Sequence, residues 1–450
     1  MGKKNGVVAA TPANPALPEI SSGRIASART IQTVQAMQTT RRIFNRELLA
    51  YLGPGFIVTV GFIDPGNWAT NMAGGADFNY SLLWVITLST VMLILMQNMA
   101  ARLGAITGHS LAENIHSHFN KPGRAFYAAT IFIVCVATSL AEYLGGALGL
   151  NILFGIPLWL GALLTLVFVT GAVLGQRYRQ LERMIMVFLA LIAAAYVVEV
   201  AIARPNWAEA IPRMVIPSVS SKSILVAMGM LGAVVMSHNI YLHSSTIQSR
   251  DWSGSHAHRR KLLRFEFIDT VLAMGLGWMV NSSMILVAAG VFYRAGRTVT
   301  SIEQAAETLK PLAGDLSSLI FAIALLFCGV GSSITASLAG GTIMAGYLGG
   351  KSEPRSFWFR AGVIGLTLPA LGIIALNLDS YKLLIMSQVV LSIMLPFTLI
   401  PLLLLTNSRR VMGSFANGPL QKALGFLSAA IIIGLNILLL YQTFGGAFRF

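Results

Sequence analysis

The sequence predicts an all-α polytopic membrane protein, and three observations carry that reading. Of its 450 residues 55% are hydrophobic and only 11% charged, and the mean hydropathy of +0.71 lies far above that of ordinary soluble domains. The apolar residues gather into eleven runs long enough to cross a bilayer. Within two of those runs, polar residues interrupt the pattern where hydrocarbon would penalise them.

In chain order, residues 1–45 are polar and rich in Ala, Thr, Ser and Arg, and are expected to be a disordered cytoplasmic tail ahead of a membrane domain over 46–450. No apolar stretch follows Lys3 and Lys4, so no cleaved signal is expected. The pair Arg41-Arg42 precedes a run too long, and too broken, to be a twin-arginine signal. The expected spans are 49–77, 81–103, 125–150, 156–175, 182–203, 223–248, 266–293, 316–347, 357–377, 381–405 and 423–445.

The formal net charge is +15, but its distribution argues against a nucleic-acid partner. Basic clusters recur on one side: Arg41, Arg42 and Arg46 before the first span, Arg177, Arg179 and Arg183 after the fourth, and Arg259, Arg260, Lys261 and Arg264 after the sixth. This positive-inside bias predicts a multi-pass protein of the inner (plasma) membrane, N-terminus cytoplasmic and C-terminus outside. Cys135 and Cys328 fall in separate spans and read as small packing residues, not a disulfide.

The first interruption, GFIDPGNWATN (61–71), puts proline, glycine, a carboxylate and amides inside the first span. The second, LGAVVMSHNIYLHSS (231–245), puts Ser, His and Asn inside the sixth. Ten spans divide into two sets of five, 46–203 and 223–405, each opening on an interrupted helix, with 423–445 outside both. An odd number of spans per set inverts the second set relative to the first. That is the arrangement of secondary transporters, whose site lies at the midplane between two unwound helices. Irregular backbone at membrane depth must line a cavity, where its carbonyls can hold an ion.

The residues at the breaks suggest which ion. Asp64 offers an anionic oxygen, Asn67 a neutral amide oxygen, Met236 a thioether and Ala233 a carbonyl if the helix unwinds there. Mg²⁺ and Ca²⁺ prefer all-oxygen shells, so sulfur argues for Mn²⁺, Fe²⁺ and related ions. One methionine of nineteen is also an ordinary packing residue, and on chemistry alone both readings of Met236 stand.

These motifs make the chain resemble the Nramp (natural resistance-associated macrophage protein) family of divalent transition-metal transporters. DPGN (64–67) and AVVMSHNIYLHSS (233–245) carry the resemblance, with QNMAARLG (97–104), LAEYLGGALGL (140–150) and SQVVLSIMLPFTLIPLLL (387–404) in support. The resemblance implies a LeuT-like fold of eleven transmembrane helices with the first and sixth unwound. It implies Asp64, Asn67, Met236 and the Ala233 carbonyl as metal ligands, joined by Gln388 when the site is occluded. It further implies alternating-access import of Mn²⁺ or Fe²⁺ with a proton as co-substrate and no resident cofactor.

Glu142, His238 and Asp64 align with the family's proton-handling groups. Desolvation favours a neutral carboxylic acid, and histidine titrates near neutrality without help. His243, Gln97 and Asn281 are expected at the vestibule or gates, with plain interhelical hydrogen bonding as the alternative. The chain departs from the family at its proton relay: Ser139 stands where an aspartate is usual, and Gly362 and Val363 stand at the arginine pair, with only Arg360 near. Losing both partners avoids stranding one buried charge, so coupling is expected to be altered or absent. Ser237 replaces the motif's proline and is expected to bond the freed carbonyls.

Glu199 reads as an interfacial residue at the outer end of the fifth span. His109, Glu113, His116 and His118 follow the second span without a strong ligand spacing, and no phosphate-binding glycine loop occurs. The alternatives are a proton-uncoupled or Mg²⁺ carrier, an amino-acid carrier of the same fold, or a metal-sensing receptor. Met236 speaks against magnesium, Asp64 against an amino-acid carboxylate, and the few residues after 445 against a soluble output domain. No nucleophile–base pairing suggests an enzyme.

Overall fold

The computed structural model describes residues 48, 51–175, 178–218, 220–304, 306, 315–350 and 352–443. The expected tail over 1–45 lies outside them. No strand occurs among the described residues.

The first span is two helices, α1 (Pro54–Gly61) and α2 (Pro65–Phe78). Asp64 caps α2 in an extended conformation and Pro65 sits in its first turn, where its missing N–H costs nothing. Then come α3 (Leu83–Thr107), α4 (Leu111–His118), α5 (Lys121–Phe154), α6 (Leu158–Gly175), α7 (Tyr178–Ala203) and α8 (Trp207–Arg213). The sixth span is likewise broken, into α9 (Ile224–Val234) and α10 (Ser237–Thr246), with Met236 extended at the cap of α10.

The rest comprises α11 (His256–Ala288) running into a π-helical turn (Ala289–Tyr293), α12 (Asp315–Tyr347), α13 (Phe357–Gly365), α14 (Leu368–Ala375), α15 (Ser380–Met394), α16 (Pro396–Asn407), α17 (Arg409–Met412) and α18 (Pro419–Thr443). The helix that carries the seventh span therefore starts at His256, before the expected span start at 266. Ser255 caps it by accepting from the His258 amide, and the basic first turns carry no apolar signal. Pro369 and Pro396 account for the divisions within the ninth and tenth spans.

Among the described residues ten helical stretches are long and apolar enough to cross a membrane, the broken sixth span included. The first span is not among them; its two pieces have 8 and 14 residues. The outer faces of α6, α7 and α18 carry exposed Val167, Phe168, Val197, Leu427 and Ile437, the surface a bilayer would cover.

Inside, α5 and α12 cross with their backbones almost touching. A Cβ on Gly329 of α12 would collide with the Gly146 backbone of α5. One residue earlier, Gly145 leaves the room that the Pro65 ring occupies. This pair of helices is the wall against which the first break rests.

Candidate metal centre

Unwinding a helix inside a membrane frees carbonyls that something must satisfy. At the first break the Phe62 carbonyl accepts from the Asn67 side chain and from Asn281 Nδ2 at 3.4 Å. The Ile63 carbonyl accepts from Cys328 Sγ at 2.6 Å. Cys328 is thus more than the packing residue its sequence context suggests, whereas Cys135 is simply buried and unbridged.

Asp64 faces back along α2. Its Oδ1 accepts from the Asn67 amide at 2.9 Å and its Oδ2 from the Gly66 amide at 3.1 Å. From α15, Gln388 Nε2 donates to Oδ2 at 3.3 Å. Gly66 permits that approach, since a Cβ there would strike the Gln388 amide.

Asn67 joins the two breaks. Its Nδ2 donates to Asp64 Oδ1 at 2.8 Å and, across to the sixth span, to the Ala233 carbonyl at 2.9 Å, as well as to Phe62. Its own Oδ1 has no partner among the described residues. Three oxygens therefore converge on one amide nitrogen. Turning that amide about its axis would put a fourth oxygen where the shared nitrogen now donates, a set of oxygens that a cation would hold together.

Met236 is fully buried at the second break, where its sulfur accepts from Asn239 Nδ2 at 3.6 Å. The five positions expected to hold metal, Asp64, Asn67, Ala233, Met236 and Gln388, are all at 0% exposure. Among them only Asp64 is formally charged, and no group of three or more His, Cys, Asp or Glu able to hold a metal occurs among the described residues. One carboxylate with neutral donors suits an ion that must leave again. Ser237 departs from expectation: the break persists, but the serine hydroxyl is buried without a partner and bonds no freed carbonyl.

Two further groups border the centre. Glu142 on α5 is fully buried, neither of its oxygens makes a hydrogen bond within 3.5 Å, and it lies within electrostatic reach of Asp64 and Ser332. His238, at the start of α10, holds Thr138 Oγ1 through Nδ1 at 3.1 Å, one turn of α5 before Glu142. Ser139 is buried, and Gly362 of α13 packs so tightly on Gly340 and Met344 of α12 that no long side chain fits there. Arg360 is exposed and bonds the Pro354 carbonyl at 2.8 Å, away from the centre.

A polar file runs instead toward the end of the bundle that carries the basic Arg259–Arg264 segment. Gln97 Oε1 of α3 contacts His243 Nδ1 at 3.0 Å, and His243 Nε2 stands 3.7 Å from Glu266 Oε1 of α11. Glu266 in turn accepts from Thr270 at 2.7 Å and Asn98 at 3.1 Å, with Arg102 and Asp269 in electrostatic range. Asn98 and Arg102 line a surface cleft of about 390 Å³ with Arg260 and Arg264.

The same end is latched. Asp269 accepts from the Gly55 amide at 2.7 Å and the Gly53 amide at 3.1 Å, tying the first turn of α1 to α11. Arg250 bonds Glu182 at 2.7 Å and the Leu52 carbonyl at 2.9 Å. Glu182, Arg250, Glu266 and Asp269 are absent from the sequence-based set. Their only signal was charge at or near a span end, with Glu266 and Asp269 three residues apart on one helical face.

Other expectations resolve plainly. Asn281 accepts from Asn71 Nδ2 at 2.7 Å, between α11 and α2 on the opposite side of the centre from His243. Glu199, one turn before the end of α7, is 3% exposed and packed among the helices. After α3, His116 bonds the Tyr347 carbonyl at 2.8 Å, His118 bonds the Asn114 carbonyl at 2.9 Å, Glu113 forms a capping box with Ser110, and His109 is exposed.

The chain is similar to known metal transporters. Over 404 residues the chain is 43% identical to the divalent metal cation transporter MntH of Caldanaerobacter subterraneus, covering 89% of this chain and 95% of that one. Over 421 residues it is 42% identical to the protein of the same name from Clostridium acetobutylicum, covering 93% and 96%. A crystal structure of the Eremococcus coleocola manganese transporter superposes with a TM-score of 0.79 at 28% identity, over 90% of this chain and 89% of that one. The nucleobase-cation-symport transporter Mhp1 shares the fold alone, with a TM-score of 0.53 at 15% identity over 87% of this chain and 93% of that one. The architecture is LeuT-like, with unwound first and sixth spans. Residues 55–442 match the family described as natural resistance-associated macrophage protein-like, and the chain belongs to that family, Nramp.

Proposed function

We propose that the chain imports a divalent transition metal, Mn²⁺ or Fe²⁺, across the plasma membrane by alternating access, with its N-terminus in the cytoplasm. The observation that carries this reading is the convergence of Asp64, Phe62 and Ala233 oxygens on the Asn67 amide at two facing helix breaks. The names of its relatives point the same way. An amino-acid carrier would offer a free helix N-terminus to a substrate carboxylate, but Asp64 already occupies the amides of α2.

Proton movement accompanies the metal in this reading, by a route unlike the family's relay. Glu142 and His238 border the metal centre, and His243 and Glu266 lead to the basic cleft. His243 bonds Gln97 through Nδ1, which leaves Nε2 to take a proton and pass it to Glu266. The close packing at Gly362 favours a second reading, a uniporter with no relay at all.

Metal flux and internal pH, read together in proteoliposomes, separate these. Mn²⁺ entry abolished by Asp64→Ala supports the metal centre, and entry untouched by that change removes it. Acidification that tracks Mn²⁺ supports symport, whereas metal entry at constant internal pH leaves the uniporter.

A further inference from the structure

A second buried carboxylate lies beyond the metal centre, on α7. Glu199 is 3% exposed, and neither of its oxygens has a hydrogen-bond partner among the described residues. The residue lines a small cavity of about 10 Å³, room for a single water or ion. Met72 of α2, Tyr196 of α7, Met284 of α11, Phe321 of α12 and Phe292 of the π-helical turn complete its walls, and no basic side chain lines it.

A buried carboxylate with no partner is costly unless a cation or a proton neutralises it. The walls favour a soft cation. Met72 and Met284 line the same small space as the carboxylate, repeating the carboxylate-plus-methionine combination of Asp64 and Met236. The Met284 sulfur also contacts Asn71 Nδ2 at 3.4 Å, and Asn71 Oδ1 is a further buried oxygen without a partner. The adjoining turn, Ala289–Tyr293, is π-helical, an irregularity often found beside functional sites.

The cavity is separate from the transport centre but mechanically joined to it. Trp68, next to Asn67, packs edge-on against Tyr196 at 5.2 Å and Phe321 at 5.0 Å, both cavity residues. Glu199 stands one turn before α7 ends at Ala203.

We propose that Glu199, with Met72 and Met284, forms a second metal site that takes one soft divalent transition-metal ion and braces α2 against α7, α11 and α12. The ion balances the carboxylate, and the thioethers select against Mg²⁺ and Ca²⁺.

Cd²⁺ is the probe, counted per chain by mass spectrometry after desalting and titrated calorimetrically on the detergent-solubilised full chain. In an Asp64→Ala background one bound Cd²⁺ is expected to remain, and Glu199→Gln in that background to remove it. Met72→Leu with Met284→Leu should weaken this Cd²⁺ at least tenfold, and these near-isosteric changes carry the test should Glu199→Gln not fold. Stoichiometry in Asp64→Ala that is zero, or that Glu199→Gln or the methionine pair leaves unchanged, overturns the proposal. The Asp64→Ala background makes this readout independent of whether the transport centre itself binds metal.

Discussion

Asn67 is the residue on which the centre turns. Its amide donates to oxygens from both breaks, so in this state a neutral dipole holds together groups that a dication would hold more strongly. Replacing it by Asp would add a second carboxylate beside Asp64; metal should bind more tightly and leave more slowly. Asn67→Asp is therefore expected to lower the KM for Mn²⁺ and the maximal uptake rate together, checked by initial-rate uptake in proteoliposomes. Met236 makes the complementary case. Removing its sulfur takes away the only soft donor, so Met236→Ala should weaken Cd²⁺ by about tenfold, or ~1.4 kcal/mol, while Ca²⁺ competition improves. Equal losses for Cd²⁺ and Ca²⁺ in a competition assay would assign Met236 to packing.

At the scale of elements, α1 is short, begins at a proline and is held at its first turn by Asp269. Bonds from backbone amides to a carboxylate are worth roughly 1.5–3 kcal/mol each when one partner is charged. Weakening them favours the state in which α1 swings away from α11. Asp269→Asn is expected to raise the population of that open state by about tenfold or more. The rate at which a cysteine at position 59 reacts with an impermeant thiol reagent reports it, since Thr59 is fully buried here and Cys135 and Cys328 are too. An unchanged rate would show the latch to be energetically idle. Gly145 tests the opposite wall: Gly145→Ala places a Cβ against the Pro65 ring, and transport should fall with little loss of expression if the first break must keep its place.

For the whole molecule, the proposed symport needs a proton route. A file of side chains from Gln97 to Glu266 ends at a basic cleft and is the route proposed above. Glu266→Gln keeps the shape and removes the proton acceptor. Mn²⁺ entry should continue while acidification drops several-fold, measured with an internal pH dye. Loss of both signals in equal proportion would mean that Glu266 serves the gate and not the proton.

Much of this was legible in the sequence because hydrocarbon is an unforgiving solvent. It demands long apolar runs, so spans could be counted, and it tolerates DPGN and VMSHN only at a cavity, so Asp64 and Asn67 stood out as candidates, whereas Met236 needed the family resemblance to be read as more than packing. Charge asymmetry and the altered positions at Ser139, Gly362 and Val363 were equally local facts. Tertiary structure alone decided which freed carbonyl meets which donor: Cys328 on Ile63, Asn67 on Ala233. It also decided that Glu199 is buried beside two methionines and that Asp269 latches α1. Those partners lie far apart along the chain, and no periodicity within one helix encodes the neighbour that packing brings to it.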